Sequence, residues 1–194
     1  MSKRIVIIDG HPDPADGRLC SALAAAYAEG AAEAGHKVTA IRLASLDFPL
    51  LRTKDDFQHG TPPESLAPAA EAILASDHIV MVFPLWLGTM PALLKAFLEQ
   101  IFRPGTAFAS QPNGFPKKLL AGRSARLVVT MGMPALVYRW YFGAHGLRGM
   151  ERNILDFVGI KPVRESFYGN AEGASAETRA GWLDEMRAHG RRAD

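Results

Sequence analysis

The first segment with chemical potential follows a short apolar run that ends at Asp9. It reads GHPDPADGRLC over residues 10–20 and leads into an alanine-rich stretch. If that stretch is a helix, its free N–H groups and its dipole favour a bound phosphate, and His11 and Arg18 can add hydrogen bonds and positive charge. The alternative interpretation is a proline-rich turn with a solvated arginine.

A second segment, PLWLGTMP over residues 84–91, also follows an apolar run. Trp86 lies between two prolines and offers a rigid flat wall, while Gly88 allows a ring or another backbone to approach closely. This combination is typical of one side of a binding site. The alternative is that Trp86 packs on the core.

A third segment, residues 131–145, is dense in aromatic side chains and also contains Tyr138 and His145. Such a segment can contribute to a binding site. The alternative is a packed satellite cluster or an oligomer contact, to which Trp140 and Phe142 are also suited.

Several function classes are excluded by composition and motifs. The sequence has no G-x-G-x-x-G after its first apolar run, no phosphate-binding P-loop motif and no G-x-S-x-G nucleophile elbow. Its one cysteine, Cys20, has no Cys/His cluster at zinc spacing, so no metal site is expected. Lys and Arg number 22 against 20 Asp and Glu, a balance that does not indicate nucleic-acid binding.

The elements that must position these segments alternate between short β-branched runs and longer helical patterns. Strands are predicted over residues 4–9, 37–43, 78–83, 126–131 and 162–168, and helices over 19–34, 64–75, 91–102, 154–158 and 177–189. This order predicts an α/β fold with a doubly wound, five-stranded parallel sheet between two helical layers, formed by one domain of residues 1–194.

In such sheets, ligands bind outside the carboxyl ends of the strands, where the strand order reverses. All three candidate segments follow predicted strands, so we expect them to meet at that edge. The N-terminus has no signal-peptide core, and no run approaches the ~20 apolar residues of a membrane span. We therefore expect a cytoplasmic protein without an integral membrane segment.

Together these residues resemble the flavodoxin-like NAD(P)H quinone oxidoreductases. That group includes DT-diaphorase-type enzymes, modulators of drug activity and ancillary oxidoreductases of potassium efflux systems. The resemblance covers nearly the whole chain, and its matching motifs are HP at residues 11–12, PLWLGTMPALLK at 84–95, FRPGTAF at 102–108, FVGI at 157–160 and FYG at 167–169.

Carried over position by position, the resemblance implies a flavin-phosphate loop, a loop along the flavin ring and a third loop after the fourth strand of the sheet. The implied cofactor-binding residues are His11, Gly17, Arg18, Leu19, Cys20, Pro84, Leu85, Trp86, Leu87, Gly88, Thr130, Met131, Gly132 and Met133. Met131 and Met133 depart from the family, which often has threonine and glycine at these two positions.

The implied catalytic residues are Tyr138 and His145. They lie near the positions where DT-diaphorase-type members place a tyrosine and a histidine over the flavin, although the spacing differs by one residue. In this interpretation both would donate hydrogen bonds to the oxygen that gains charge.

The activity implied by the resemblance is hydride transfer from NAD(P)H through non-covalently bound FMN to a quinone-like acceptor. FAD, and the choice between NADH and NADPH, stay open. A two-fold homodimer is implied as well. The aromatic cluster of Tyr138, Trp140, Tyr141 and Phe142 agrees with it, because it is more apolar surface than a monomer usually leaves exposed. One alternative is a flavin-binding ancillary subunit of a transport system, and another is a one-electron shuttle, which the net charge of +2 disfavours.

Overall fold

The computed structural model describes residues 2–111 and 114–194. Its strands are β1 (Arg4–Asp9), β2 (Lys37–Arg42), β3 (His78–Pro84), β4 (Phe108–Ala109), β5 (Lys117–Lys118), β6 (Ser124–Thr130) and β7 (Val163–Tyr168). Its helices are α1 (Leu19–Glu33), α2 (Lys54–His59), α3 (Ala67–Ala75), α4 (Ala92–Ile101), α5 (His145–Gly149), α6 (Asp156–Val158) and α7 (Ala176–Arg192).

Five strands form one sheet in the order β2-β1-β3-β6-β7, and every pair in it is parallel. This is the doubly wound order, which reverses between β1 and β3 and so opens a crevice at their carboxyl ends. The predicted fold class is therefore confirmed. Strands β4 and β5 form a separate antiparallel pair that the sequence did not predict.

The sheet is covered on both faces because its central strands are apolar throughout. All seven residues of β3 are buried, as are five of the six in β1. Along β1, Ile5 and Ile7 pack toward α1 and α7, whereas Val6 and Ile8 pack toward α3 and α4. Alternate residues of a strand point to opposite faces, so a continuous apolar run builds two cores at once and gives the three predicted layers.

The main departure from the sequence prediction is the stretch between β6 and β7. A helix was predicted only over residues 154–158, but helical turns occupy Val137–Tyr141 and residues 145–158. The turns at Val137–Tyr141 and Met150–Leu155 are π-helical. Three glycines and a cluster of aromatic residues hide the helical period in this stretch. Its turns reach the loop that follows β3, where Tyr138 and Gly146 both lie against Gly88.

Smaller departures concern the ends of elements. The helix predicted over residues 64–75 starts with a 3-10 turn at Glu64–Leu66 before α3 begins. Helix α2 was not predicted. Within residues 2–111 and 114–194, no helix is both long enough and apolar enough to cross a lipid bilayer.

Candidate functional site

The three candidate segments begin side by side at the carboxyl-end edge of the sheet. In the strand register, Asp9 faces Val82 and Pro84 faces Thr130. The pairing continues just beyond the strands, because the N–H of Gly10 donates to the carbonyl of Val82 at 2.7 Å. The structure thus brings together the loops that follow β1, β3 and β6, at the position where the strand order reverses.

In the first half of the loop after β1, every backbone N–H group of residues 11–15 donates to a side chain within the loop or at the end of β1. The Asp9 carboxylate accepts the N–H of His11 at 3.1 Å, and the His11 Nδ1 accepts the N–H of Asp13 at 3.1 Å. The Asp13 carboxylate then accepts the N–H of Ala15 at 2.8 Å. The residues between these donors are prolines, which carry no N–H. No backbone N–H of residues 11–15 therefore remains for a ligand.

The second half of the same loop leaves donors available at the start of α1. Among the described residues, no side chain caps this helix, although the first N–H groups of a helix have no partner within it. Gly17 has a φ of +78°, and a Cβ there would meet no described atom within 4 Å. The helix N-terminus therefore faces open space, and its geometry fits a phosphate.

His11 and Arg18 flank this opening. The Arg18 guanidinium forms an ion pair with the Asp13 carboxylate, which holds it beside the loop. Burial lowers the pKa of His11 below its usual value of 6.5. Because Nδ1 of His11 accepts a backbone N–H, the neutral ring carries its proton on Nε2, where it can donate.

The segment after β3 forms a tight turn. Trp86 and Thr89 exchange two backbone hydrogen bonds of 2.9 and 3.0 Å. Leu87 and Gly88 between them have φ values of +48° and +79°, which is the pattern of a type I′ turn. Trp86 is 50% exposed, and its ring lies edge-on to His11 with the centroids 6.2 Å apart. Trp86 therefore lines the crevice, and packing on the core does not explain its position.

In the segment after β6, Gly132 faces open space and lies between two methionines that pack with the core. A Cβ on Gly132 would meet no atom of the described residues within 4 Å. Met131 is buried in the core and Met133 packs against it. The side chains of the two methionines that depart from the family motif thus both contact the core.

Other implied cofactor-binding residues present only their backbone. Cys20 is buried with its sulfur 3.3 Å from the Thr130 hydroxyl, and burial raises the pKa of this thiol to about 12. Pro84 is buried in β3, while the half-buried Leu19 and Leu85 pack on the two cores. These side chains support the loops, so any contact with a ligand at these positions would come from main-chain atoms.

The two implied catalytic residues have different surroundings. Tyr138 is only 2% exposed, and its hydroxyl donates to the carbonyl of Gly88 at 3.0 Å. Burial also raises the pKa of this phenol. His145 is exposed at the start of α5, after Ala144 in the left-handed region. Of the two implied catalytic side chains, only that of His145 is exposed.

Comparison with known proteins assigns the family. A family model described as the flavodoxin-like fold matches residues 3–190. This chain belongs to the flavodoxin-like family. The match spans nearly the whole sequence and agrees with the strand order of the sheet.

Two curated relatives of this flavodoxin-like protein carry related names. The FMN-dependent NADH:quinone oxidoreductase of Ruegeria pomeroyi is 35% identical over 87 residues, which is 45% of this chain and 40% of the relative. The FMN-dependent NADH:quinone oxidoreductase 2 of Listeria innocua is 32% identical over 133 residues, 63% of this chain and 62% of the relative. The chain thus spans between two fifths and two thirds of their lengths.

Solved structures share the fold of this flavodoxin-like protein. The NAD(P)H:quinone oxidoreductase from Methanothermobacter marburgensis has a TM-score of 0.82 at 22% identity, over 100% of both chains. An FMN-dependent NADH-azoreductase from Bacillus anthracis, solved with FMN, has a TM-score of 0.75 at 17% identity, over 99% of both chains.

Sequence reasoning missed three residues that shape the site of this flavodoxin-like protein. Asp9 and Asp13 organise the first loop, and their position after a strand was the available signal. Gly146 contacts the Trp86 turn, but nothing in the sequence distinguishes it from its neighbours Gly143 and Gly149. In the part of the chain that the structure describes, no group of three or more His, Cys, Asp or Glu side chains could hold a metal ion.

Proposed function

We propose that this protein is an FMN-dependent oxidoreductase that transfers hydride from NAD(P)H to a quinone-like acceptor. One observation carries the proposal. The crevice where the strand order reverses has an uncapped helix N-terminus on one side and the Trp86 turn with open Gly132 on the other. A phosphate fits the first part and a flat ring fits the second. The names of the curated relatives support this assignment.

The roles of the residues follow from which donors remain available. The N–H groups at the start of α1 and the Nε2 proton of His11 would bind the phosphate. Trp86 would form a wall along the ring, and Gly17 and Gly132 would leave room for the cofactor at either end of the crevice. Implied residues whose side chains pack in or on the cores, such as Leu19, Cys20 and Leu85, would contribute main-chain atoms. Arg18 would add positive charge beside the phosphate.

Bound FMN would supply the hydride chemistry, so the protein would contribute orientation and exclusion of water. His145 is the exposed side chain suited to donate a proton to the acceptor oxygen as negative charge develops there. FMN is preferred to FAD because the curated relatives are named FMN-dependent.

A cytoplasmic location is part of the proposal. Its support is Cys20, a free and buried thiol, which suits a reducing compartment. The two cores on opposite faces of one sheet support treating residues 1–194 as one domain.

We also propose a homodimer, on the basis of exposed apolar side chains near the crevice. Leu136, Trp140, Tyr141 and Phe142 are all at least half exposed, and Leu87 is fully exposed. Monomeric proteins rarely leave large contiguous apolar patches in water. Tyr138, which the sequence analysis grouped with the exposed aromatic residues, is buried and does not belong to this patch. A monomeric mass at micromolar concentration, measured by sedimentation, would contradict the dimer.

The phosphate site is tested by comparing FMN with riboflavin, which lacks the phosphate. FMN should bind at one per chain and much more tightly than riboflavin. Arg18→Glu should weaken FMN by repulsion of the phosphate and leave riboflavin affinity unchanged. Arg4→Glu, the same charge change at the opposite end of β1, serves as the control. Equal affinity for FMN and riboflavin in the wild type would contradict the phosphate site.

The activity is tested by anaerobic addition of NADH or NADPH to the FMN-loaded protein. The flavin absorption should bleach and should return when a benzoquinone is added. Because one crevice serves both substrates, initial rates at several acceptor concentrations should give parallel double-reciprocal lines. Intersecting lines would mean that donor and acceptor bind together. If neither NADH nor NADPH bleaches the flavin, the proposed activity is wrong. A protein that binds flavin but does not turn over would then favour the ancillary-subunit alternative.

A further inference from the structure

The turn at residues 86–89, here called the Trp86 turn, is held by the helical stretch that follows β6. Tyr138 lies in that stretch, is 2% exposed and donates its hydroxyl to the carbonyl of Gly88 at 3.0 Å. A buried side chain therefore donates to Gly88, which is the second of the two central residues of the turn. A hydroxyl that has already donated its proton in this way is not available to donate it to a substrate.

A second contact reaches the same carbonyl from α5. A Cβ placed on Gly146 would lie 2.1 Å from the Gly88 oxygen and 2.9 Å from the Cα of Thr89. Because both atoms belong to the backbone, a larger residue at position 146 must displace the turn. Gly149 lies in the same helix, and a Cβ there would meet nothing within 4 Å among the described residues. The close approach is thus specific to one glycine of α5.

The turn needs such support because of its own conformation. Leu87 has a φ of +48° and a fully exposed side chain. A residue with a side chain keeps a left-handed conformation only where the surrounding structure holds it there. The described contacts of the turn with Tyr138 and Gly146 both involve Gly88, the residue that follows Leu87.

We propose that Tyr138 and Gly146 are positioning residues, which together fix the height and orientation of the turn at residues 86–89. By this means they set the wall of the crevice that would face the flavin ring. The inference rests on the proposed function for the identity of the ligand. The contact between the helical stretch and the turn does not depend on that ligand.

The first test uses the protein without flavin. The N–H of Thr89 donates to the Trp86 carbonyl and closes the turn, so its hydrogen exchange reports whether the turn is held. Exchange at Thr89 should be about tenfold faster in Gly146→Ala and Tyr138→Phe than in the wild type. Gly149→Ala is the matched control and should exchange as the wild type does. Unchanged exchange in both Gly146→Ala and Tyr138→Phe would overturn the inference.

The second test measures flavin affinity per folded molecule. Gly146→Ala should raise the Kd of FMN and of riboflavin by the same factor, about tenfold, because the ring site changes and the phosphate site does not. Tyr138→Phe, which removes one neutral hydrogen bond, should raise both by about three- to tenfold. Gly149→Ala should leave both unchanged.

The outcomes separate the two proposals. A wild type that binds neither flavin would contradict the proposed function, and with it the ring-site part of this inference, but not the result at Thr89. If the wild type binds FMN and the variants bind FMN and riboflavin as tightly as the wild type does, only the positioning role is overturned. Tyr138→Phe keeps the test decisive if Gly146→Ala fails to fold, because it removes only the hydroxyl and keeps the buried ring.

Discussion

The two edges of the parallel sheet differ. At the carboxyl ends of the strands, several loop residues have left-handed backbone conformations and two glycines face open space. At the amino ends, buried polar side chains pair with one another. The carboxyl-end edge contains Leu87 and Ala144 in the left-handed region and open glycines at positions 17 and 132. Trp86, Trp140, Tyr141 and Phe142 are exposed at or near this edge. The helix N-terminus beside it has no side-chain cap among the described residues.

The amino-end edge has the opposite character. His78 is 1% exposed, stacks on Tyr27, and its Nδ1 lies 2.8 Å from the Ser124 hydroxyl. Arg126 is 3% exposed, donates to the Ser166 hydroxyl at 2.7 Å and pairs with Asp194. At this edge polar side chains pair across segments that are far apart in sequence, although the buried Nε2 of His78 has no hydrogen-bond partner among the described residues.

The difference shows how one sheet can serve two purposes. Polar groups already paired within the protein stabilise the fold and have no capacity left for a ligand. Backbone donors that remain unpaired contribute little to stability and are ready to bind. Substitutions at the two edges should therefore affect different measurements, and three experiments test this separation.

The largest expected effect is the loss of stability in acid through His78. Burial, together with the nearby charges of Lys3 and Arg126, holds the pKa of His78 at about 3, below its usual value of 6.5. The unfolded chain therefore takes up this proton first, and the unfolding free energy falls as the pH drops from about 6.5 to 3. At about 1.4 kcal/mol per pH unit the total loss approaches about 5 kcal/mol.

The measurement is denaturant unfolding at several pH values. His78→Phe keeps an aromatic ring against Tyr27 but cannot titrate, so its unfolding free energy should depend less on pH in this window. His59→Phe, at a histidine with a side chain 73% exposed, is the matched control and should keep the wild-type slope. Identical slopes for the wild type and His78→Phe would show that His78 does not carry the effect.

A somewhat smaller effect is expected from Arg126→Met. Removal of a buried guanidinium leaves Ser166 and Asp194 with fewer partners, and we expect a loss of about 3 kcal/mol in unfolding free energy. Arg164→Met removes an exposed partner of the same Asp194 carboxylate and should cost less than about 1 kcal/mol. FMN affinity per folded molecule should be unchanged in both variants. Weaker FMN binding in Arg126→Met would link the two edges and contradict their separation.

The smallest effect on stability is expected at Trp86. Trp86→Ala should leave melting of the flavin-free protein nearly unchanged and raise the Kd of FMN by about tenfold, because a half-exposed ring has little packing to lose. Trp182 is the matched control, since its half-buried ring packs 5.1 Å from that of Tyr168. Trp182→Ala should cost about 2 kcal/mol of stability and leave FMN affinity unchanged. A large loss of stability in Trp86→Ala with unchanged FMN affinity would show that Trp86 packs on the core and does not contribute to the flavin site.

Much of this molecule follows from local sequence patterns. Continuous apolar runs predicted β1 and β3, because a strand buried on both faces needs apolar residues at every position. The alternation of strands and helices then predicted the parallel sheet and the edge at which the candidate segments meet. The position of Trp86 after a strand-ending proline predicted a residue of the crevice. These features depend on residues close together in the chain, and for that reason the sequence alone determines them.

Other features depend on which distant residues meet, and only the tertiary structure decided them. The sequence grouped Tyr138 with exposed aromatic residues, yet its partner is the Gly88 carbonyl, 50 residues earlier in the chain. Gly146 resembles its neighbouring glycines until the turn at residues 86–89 is packed against it. Arg126 and Asp194 are 68 residues apart, and neither carries a local signal of burial. Such contacts form between faces of the folded chain, so no local period or motif records them.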